Sequence, residues 1–221
     1  MFYVQEITKP IPGRFDEFVK ATETEQVPLY HDLGFRLVAY WETIHTQGYW
    51  PEAISLWEMD DFQQYARICA NQYSKGALGK RYRNWQAHLG ILVTECRGLV
   101  LWPSSGTPSL EQLQKSGKQA SPCLHETVMA NPNKSYQYGE LVQTLYAPAV
   151  GRIGSWMVGS YFEIWGTQAT SIWALEGWEA VGKYQKAMRE DPDLLTWAEV
   201  GIALRHDWYD RLLVHLPFSP I

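Results

Sequence analysis

Val27-Pro28-Leu29-Tyr30-His31-Asp32-Leu33-Gly34-Phe35-Arg36-Leu37-Val38 is answered, 120 positions later, by Ala147-Pro148-Ala149-Val150-Gly151-Arg152-Ile153-Gly154-Ser155-Trp156-Met157-Val158. The proline, a glycine and the closing apolar residues coincide. Further blocks follow in the same order: Ser55-Leu56-Trp57-Glu58 lies over Ser171-Ile172-Trp173-Ala174, and Asn84-Trp85 over Thr196-Trp197. Two copies of about 100 residues make a duplicated domain, because solenoid arrays need three or more units of about 20–50 residues.

Around the repeated block, each half reads as the same series of elements. Phe2 to Thr8 is a strand stopped by Lys9-Pro10-Ile11-Pro12-Gly13, a turn that cannot continue a sheet. A helix follows, with Phe15, Phe18, Val19 and Thr22 on its apolar side, a kink at Pro28 and an end at Gly34. Phe35 to Thr43 and Ala53 to Asp60 form a hairpin. Strict alternation predicts Phe35, Leu37, Ala39 and Trp41 on one face of its first strand, with Arg36, Val38, Tyr40 and Glu42 on the other. Two helical stretches and a strand from Ile91 to Trp102 complete the half. The order β-α-β-β-α-β is the ferredoxin-like plan, and it recurs from Leu124 to Leu216.

The expected class is therefore α+β: two tandem ferredoxin-like repeats packed as an intramolecular α+β barrel. Helices on one side of each sheet leave an apolar face that needs a partner. The expected domains are residues 1–103, a Ser-, Gly- and Pro-rich linker at 104–122, and a diverged second repeat at 123–221.

Composition narrows the function classes. The net charge is −5, with Lys and Arg scattered, so there is no basic stripe for nucleic acid. The longest apolar runs fall short of a membrane span. No signal peptide is read at Met1-Phe2-Tyr3-Val4, so a cytoplasmic protein is expected. Cys69, Cys96 and Cys123 make no Cys-x-x-Cys pair. The histidines form no His-x-x-x-His pair, so no metal is expected. Phosphate-loop, dinucleotide-binding and nucleophile-elbow motifs are missing as well.

Aromatic content stands out, with 11 Trp and 13 Tyr, the Trp residues at matching places in both halves. A core alone is served more simply by Leu or Ile. An aromatic-lined cavity or an aromatic core accounts for this, and Trp41, Trp57, Trp85, Trp165 and Trp173 are the candidate binding residues. His88 follows Trp85 by one helical turn, where it either reaches a pocket or satisfies a core hydrogen bond. Glu42, Glu58 and Glu163 sit in strands that both faces of the fold can bury, where a carboxylate must pair, reach water at a strand end or stay protonated.

Lys9-Pro10-Ile11-Pro12-Gly13-Arg14-Phe15-Asp16-Glu17-Phe18, Gly34-Phe35-Arg36-Leu37-Val38-Ala39-Tyr40-Trp41 and Leu56-Trp57-Glu58-Met59-Asp60 resemble the NIPSNAP family of the dimeric α+β-barrel superfamily. The resemblance covers residues 2–103 and extends to 124–217 through the repeat. It implies paired ferredoxin-like sheets and a small molecule held between sheet and helices. The superfamily includes cofactor-free monooxygenases, polyketide cyclases and haem-binding proteins. In the cyclases a Tyr early in the helix after the third strand works with a His about two turns later; on this chain the Tyr falls at Tyr65 and at Tyr184. Asn71 and Glu190 stand six residues on, which departs from that pattern.

The resulting expectation is an enzyme or binding protein for a small apolar or aromatic organic molecule, working by cofactor-free cyclisation, isomerisation, elimination or oxygenation. The catalytic candidates are Tyr65, Tyr184, His88 and Glu58. Haem binding and a non-catalytic ligand- or partner-binding role are the alternatives. Neither nucleic acid nor membrane is an expected partner, and a homo-oligomer is left open.

Overall fold

The structure, a computed structural model, describes residues 1–44, 49–164 and 167–221. The chain divides into two compact units, Met1–Val100 with His215–Pro220, and Leu101–Val214 with Ile221. Each unit has its own β-α-β-β-α-β series, so the class is α+β and the duplicated ferredoxin-like plan is present.

In the first unit, β1 (Phe2–Pro10) is followed by α1 (Phe15–Ala21), a π-helical turn (Thr22–Gln26) and α2 (Val27–Leu33). These three segments make one continuous helical stretch. Gly34 closes it at φ 108°, a left-handed backbone that suits glycine at a helix end. The hairpin β2 (Arg36–Thr43) and β3 (Ala53–Met59) leads into α3 (Phe62–Gln72), which Asp61 caps by accepting the Gln64 N–H at 2.7 Å. Then come α4 (Ala77–Leu92) and β4 (Val93–Pro103). β3 lies antiparallel between β1 and β2, with Trp57 opposite both Val4 and Leu37. β4 is the neighbour of β1 on its other side, and just before β4 begins the Leu92 carbonyl accepts from the Ile11 N–H, next after β1, at 2.9 Å.

The second unit repeats this plan. α5 (Leu110–Ser116), capped by Ser109 and Gln112, lies in the stretch that composition marks as linker. It precedes β5 (Cys123–Ala130), α6 (Ser135–Leu141), a second π-helical turn (Val142–Tyr146) and α7 (Ala147–Gly151). The rest is β6 (Ser155–Glu163), β7 (Gln168–Leu175), α8 (Trp178–Glu190), α9 (Pro192–Leu204) and β8 (Arg205–His215). β5 lies between β7 and β8, and the end of β4 adds to β6 through Trp102 opposite Phe162.

Two irregularities recur at the same place in both units, and both matter for which side chains meet. The first is the π turn. Pro28 and Pro148 stand two residues beyond its end, and a proline has no N–H to give to the carbonyl four residues back. The helix widens there, and the Val27 N–H reaches the Thr22 carbonyl five positions earlier, as the Ala147 N–H reaches Val142. The second is a β-bulge between Leu37 and Ala39, matched between Met157 and Gly159. The inserted residue breaks the strict alternation expected of β2. Leu37 pairs with Trp57 and Tyr40 with Ser55, so both share the face covered by the helices. Trp41 pairs with Ile54 and lies on the opposite face.

On the helical side of the first unit Phe18, Leu29, Tyr30, Leu33, Phe35, Tyr40, Trp57, Ile68 and Trp85 are buried. The second unit's core joins Leu124, Tyr138, Tyr146, Trp173, Tyr184 and Trp197. Among the described residues no helix is long and apolar enough to cross a membrane.

Candidate functional site

Cross-strand register sets the polar center of the first unit. β1 places Glu6 opposite Ser55 and Val4 opposite Trp57, all facing the helices. From the helical side Gln26, the last residue of the π turn, and Tyr30, about a turn later, point down onto Glu6. Tyr30 Oη donates to Glu6 Oε1 at 2.8 Å, and Gln26 Nε2 donates to Oε2 at 2.7 Å. Ser55 Oγ lies 3.4 Å from Oε2 and accepts the Trp57 indole N–H at 2.8 Å. Tyr40 Oη donates to Gln26 Oε1 at 3.3 Å.

Every one of these partners is neutral. Among the described residues no Lys, Arg or His forms an ion pair with Glu6. Its carboxyl is therefore pushed above the ordinary range by loss of water, which outweighs the opposing pull of the donors from Tyr30, Gln26, Ser55 and Trp57. Glu6 itself stays partly exposed while Gln26, Tyr30, Ser55 and Trp57 are buried. A desolvated carboxylate with a raised pKa and an oriented hydrogen-bond shell, on a residue that keeps some exposure, is suited to taking a proton from a bound molecule.

The second unit keeps the carboxylate, with Ser171 and Trp173 in the places of Ser55 and Trp57, but has Tyr146 and Val150 where the first has Gln26 and Tyr30. Glu126 occupies the place of Glu6, but its Oε1 accepts from Tyr138 Oη at 2.9 Å and from Arg205 Nη1 at 3.3 Å, and it is only 7% exposed. Asp210 stands opposite it on β8. Burial first, then Asp210, push its carboxyl up to about 7. Arg205 also stacks over the Trp208 ring at 4.2 Å. Tyr146, in the place of Gln26, shares a 2.5 Å hydrogen bond with Tyr184 and lays its ring 4.9 Å from Trp173 and 5.2 Å from Trp197. Large aromatic side chains occupy this interior, and its carboxylate carries an ion pair.

The residues singled out from sequence are dispersed. Glu58 is buried, but on the sheet face opposite Glu6, where it accepts from Tyr3 Oη at 2.8 Å and from Arg36 at 3.0 and 3.2 Å. Tyr65 lies on α3 with its ring 5.6 Å from Phe62, and burial followed by Cys69 raises its pKa. It is not the counterpart of Tyr184. The third strands correspond at a shift of 116, and the N-cap residues Asp61 and Gly177 keep that shift, so Tyr184 falls level with Ile68. His88 is on α4 with Nδ1 3.0 and 3.1 Å from the Glu25 carboxylate oxygens, its ring 6.3 Å from Trp85.

Trp57 packs over Tyr30 at 4.9 Å and is joined to Glu6 through Ser55. Trp85 is buried and lines a 260 Å³ cleft with Thr24, Glu25, Leu29, Arg81 and Asn84. Trp41 is buried on the other sheet face, Trp173 lies against Tyr146, and Trp165 is outside the described residues. No described contact joins Tyr65, His88 and Glu58. Glu6, Gln26 and Tyr30 are missing from the sequence reading; the signal available was the pair Glu6 and Glu126, identical at the repeat shift of 120.

A second concavity, of 620 Å³, lies in the second unit, with Trp102, Tyr136 and Phe162 forming its aromatic wall beside Ser104, Ser105, Ser135 and Glu163. Among the described residues no three His, Cys, Asp or Glu side chains cluster to hold a metal ion.

No family model matches this chain, and no curated protein is significantly similar to it. Solved structures are. A candidate monooxygenase from Fusobacterium nucleatum superposes with a TM-score of 0.66 at 8% identity, over 97% of this chain and 92% of that one. An anthrone oxidase-like protein gives 0.63 at 10% identity, over 99% and 93%. The similar structures also include NIPSNAP family proteins, each matching about half of this chain; one from Agrobacterium tumefaciens is 20% identical over 49% of this chain and 98% of its own, with a TM-score of 0.41. What the full-length likenesses establish is the fold, a tandem ferredoxin-like α+β chain.

Proposed function

We propose that the first unit binds a small, largely apolar or aromatic organic molecule beside Glu6 and that Glu6 removes a proton from it without a metal. The observation carrying this is the carboxylate of a partly exposed residue, held in a fixed orientation by Tyr30 and Gln26 and, among the described residues, in no ion pair. In that setting the substrate's acidic C–H or O–H hydrogen passes to a Glu6 oxygen, while Tyr30 and Gln26 stabilise the carboxylate before transfer. The anion formed on the substrate then cyclises, isomerises, eliminates or reacts with oxygen, according to what it is. The full-length similar structures, one named as a candidate monooxygenase and one as anthrone oxidase-like, support this class over a purely structural role. The second unit, with Glu126 paired to Arg205, is a scaffold in this reading.

The test is native mass spectrometry and an absorbance scan of freshly purified protein, followed by Glu6→Gln. Once an activity is found, Glu6→Gln lowers kcat by ~10²–10⁴, with Glu126→Gln far milder. The reverse order of effects would sink the assignment. A Soret band abolished by substituting a single histidine would move the reading to haem.

A further inference from the structure

We infer that Tyr40 is a positioning residue for Glu6 and that the segment 216–219 is the latch that holds it. The inference rests on the reading of Glu6 as the site's base. Three contacts tie the segment to Tyr40. The Leu216 N–H donates to the Tyr40 carbonyl at 2.8 Å, the Tyr40 N–H donates to Ser219 Oγ at 3.0 Å, and the Phe218 ring meets the Tyr40 ring edge-on at 5.4 Å. The main chain of Tyr40 is thereby fixed along this edge of β2. Its side chain is buried among the helices, 6.5 Å from the Phe18 ring, and its hydroxyl donates to Gln26 Oε1.

That last bond reinforces the facing of the Gln26 amide that the acceptor-only carboxylate of Glu6 demands. With Oε1 held by Tyr40, only Nε2 is left for Glu6, and it donates at 2.7 Å. Flipped, the amide oxygen would oppose the carboxylate. Tyr40 therefore secures one of the two strong donors to Glu6. The titratable groups facing Glu6 from the surrounding elements are Tyr30 from α2, Tyr40 from β2, Tyr82 from α4 and Cys96 from β4. Among the described residues none supplies a positive charge, so no ion pair there masks the loss of a donor.

The second unit contains a matched control. There the Ser104 N–H donates to the Ser160 carbonyl at 2.8 Å and the Ser160 N–H donates to Thr107 Oγ1 at 3.2 Å, so 104–107 grips Ser160 as 216–219 grips Tyr40. The Ser160 hydroxyl is too short to reach a helix and accepts from Ser171 Oγ across the sheet at 3.3 Å. The latch belongs to the repeat, whereas its extension to the carboxylate belongs to the first unit.

The experiment is a carboxyl-carbon NMR titration of the full chain, the Glu6 signal assigned by its loss in Glu6→Gln. Tyr40→Phe keeps the ring and should raise the Glu6 pKa by about half a unit or more. Ser219→Ala should raise it less, and Thr107→Ala should leave it unchanged. A Glu6 titration unmoved by both Tyr40→Phe and Ser219→Ala, or moved equally by Thr107→Ala, overturns the inference. Amide spectra confirm that each variant is folded. The readout is the charge state of Glu6 whatever its role, so a protein in which Glu6 proves idle toward every ligand fails the functional proposal while leaving this one to be judged on its own titration.

Discussion

Glu6 carries the functional account and is also the residue whose energetics are most exposed to measurement. Its pKa is raised in the folded chain, so the folded state holds the proton more tightly than the unfolded one. The stability linked to that proton is present below the ordinary carboxylate range and is lost as pH rises through the folded pKa. Glu6→Gln removes this loss. Thermal melts should therefore show the variant gaining on the parent as pH rises above the ordinary carboxylate range; a constant difference there would mean that Glu6 is not desolvated as described. Glu126 follows the same sign, with its loss complete above about 7. Neither carboxylate was legible from local sequence, because Glu6 reads simply as one residue of a short strand. What makes it special is the convergence of Gln26, Tyr30, Ser55 and Trp57, which are distant in the chain. Glu58 was legible as a buried carboxylate, but its partners Tyr3 and Arg36 come from other strands, and they pair it off.

Elements show the same division between what patterns reveal and what they hide. The glycine at the end of α2 and the hairpin were readable because each depends on a few neighbouring residues. The bulge in β2 was not, and a single inserted residue moved Trp41 to the face opposite Trp57. Pro28 marked a disturbance in the helix, yet its form as a π turn, and the aim it gives Gln26, depend on packing. Trp57 and Trp173 occupy the same register, each buried against a tyrosine of the helical segment. Trp57→Ala and Trp173→Ala should each cost about 3–5 kcal/mol in chemical denaturation. A cost below about 1 kcal/mol at Trp57 would identify its surroundings as an open cavity. Gly139 gives a sharper check. A Cβ there would overlap the Phe162 ring, so Gly139→Ala should destabilise by about 1–3 kcal/mol, and Phe162→Leu should relieve part of that loss in the double variant.

Over the whole chain, the duplication was legible from two short blocks and their shift, and both β-α-β-β-α-β series follow it. The assignment of His215–Pro220 to the first unit was not, since those residues lie far in sequence from the strand they grip. Removing residues 216–221 should therefore lower the melting temperature and raise the Glu6 pKa together; a truncated chain unchanged in both would contradict the latch. The two units have also diverged in a definite direction. The first keeps its carboxylate among neutral donors on a partly exposed residue, and the second buries its carboxylate and pairs it with Arg205. The most direct test compares ligand binding across that divergence, by native mass spectrometry of the intact chain and of Glu6→Gln and Glu126→Gln, each freshly purified and then offered a panel of small aromatic acids and phenols. A bound organic molecule on the intact chain and on Glu126→Gln, weakened at least about tenfold on Glu6→Gln, is the predicted result. Equal binding by all three chains, or by none of them, would contradict the assignment of the site to Glu6.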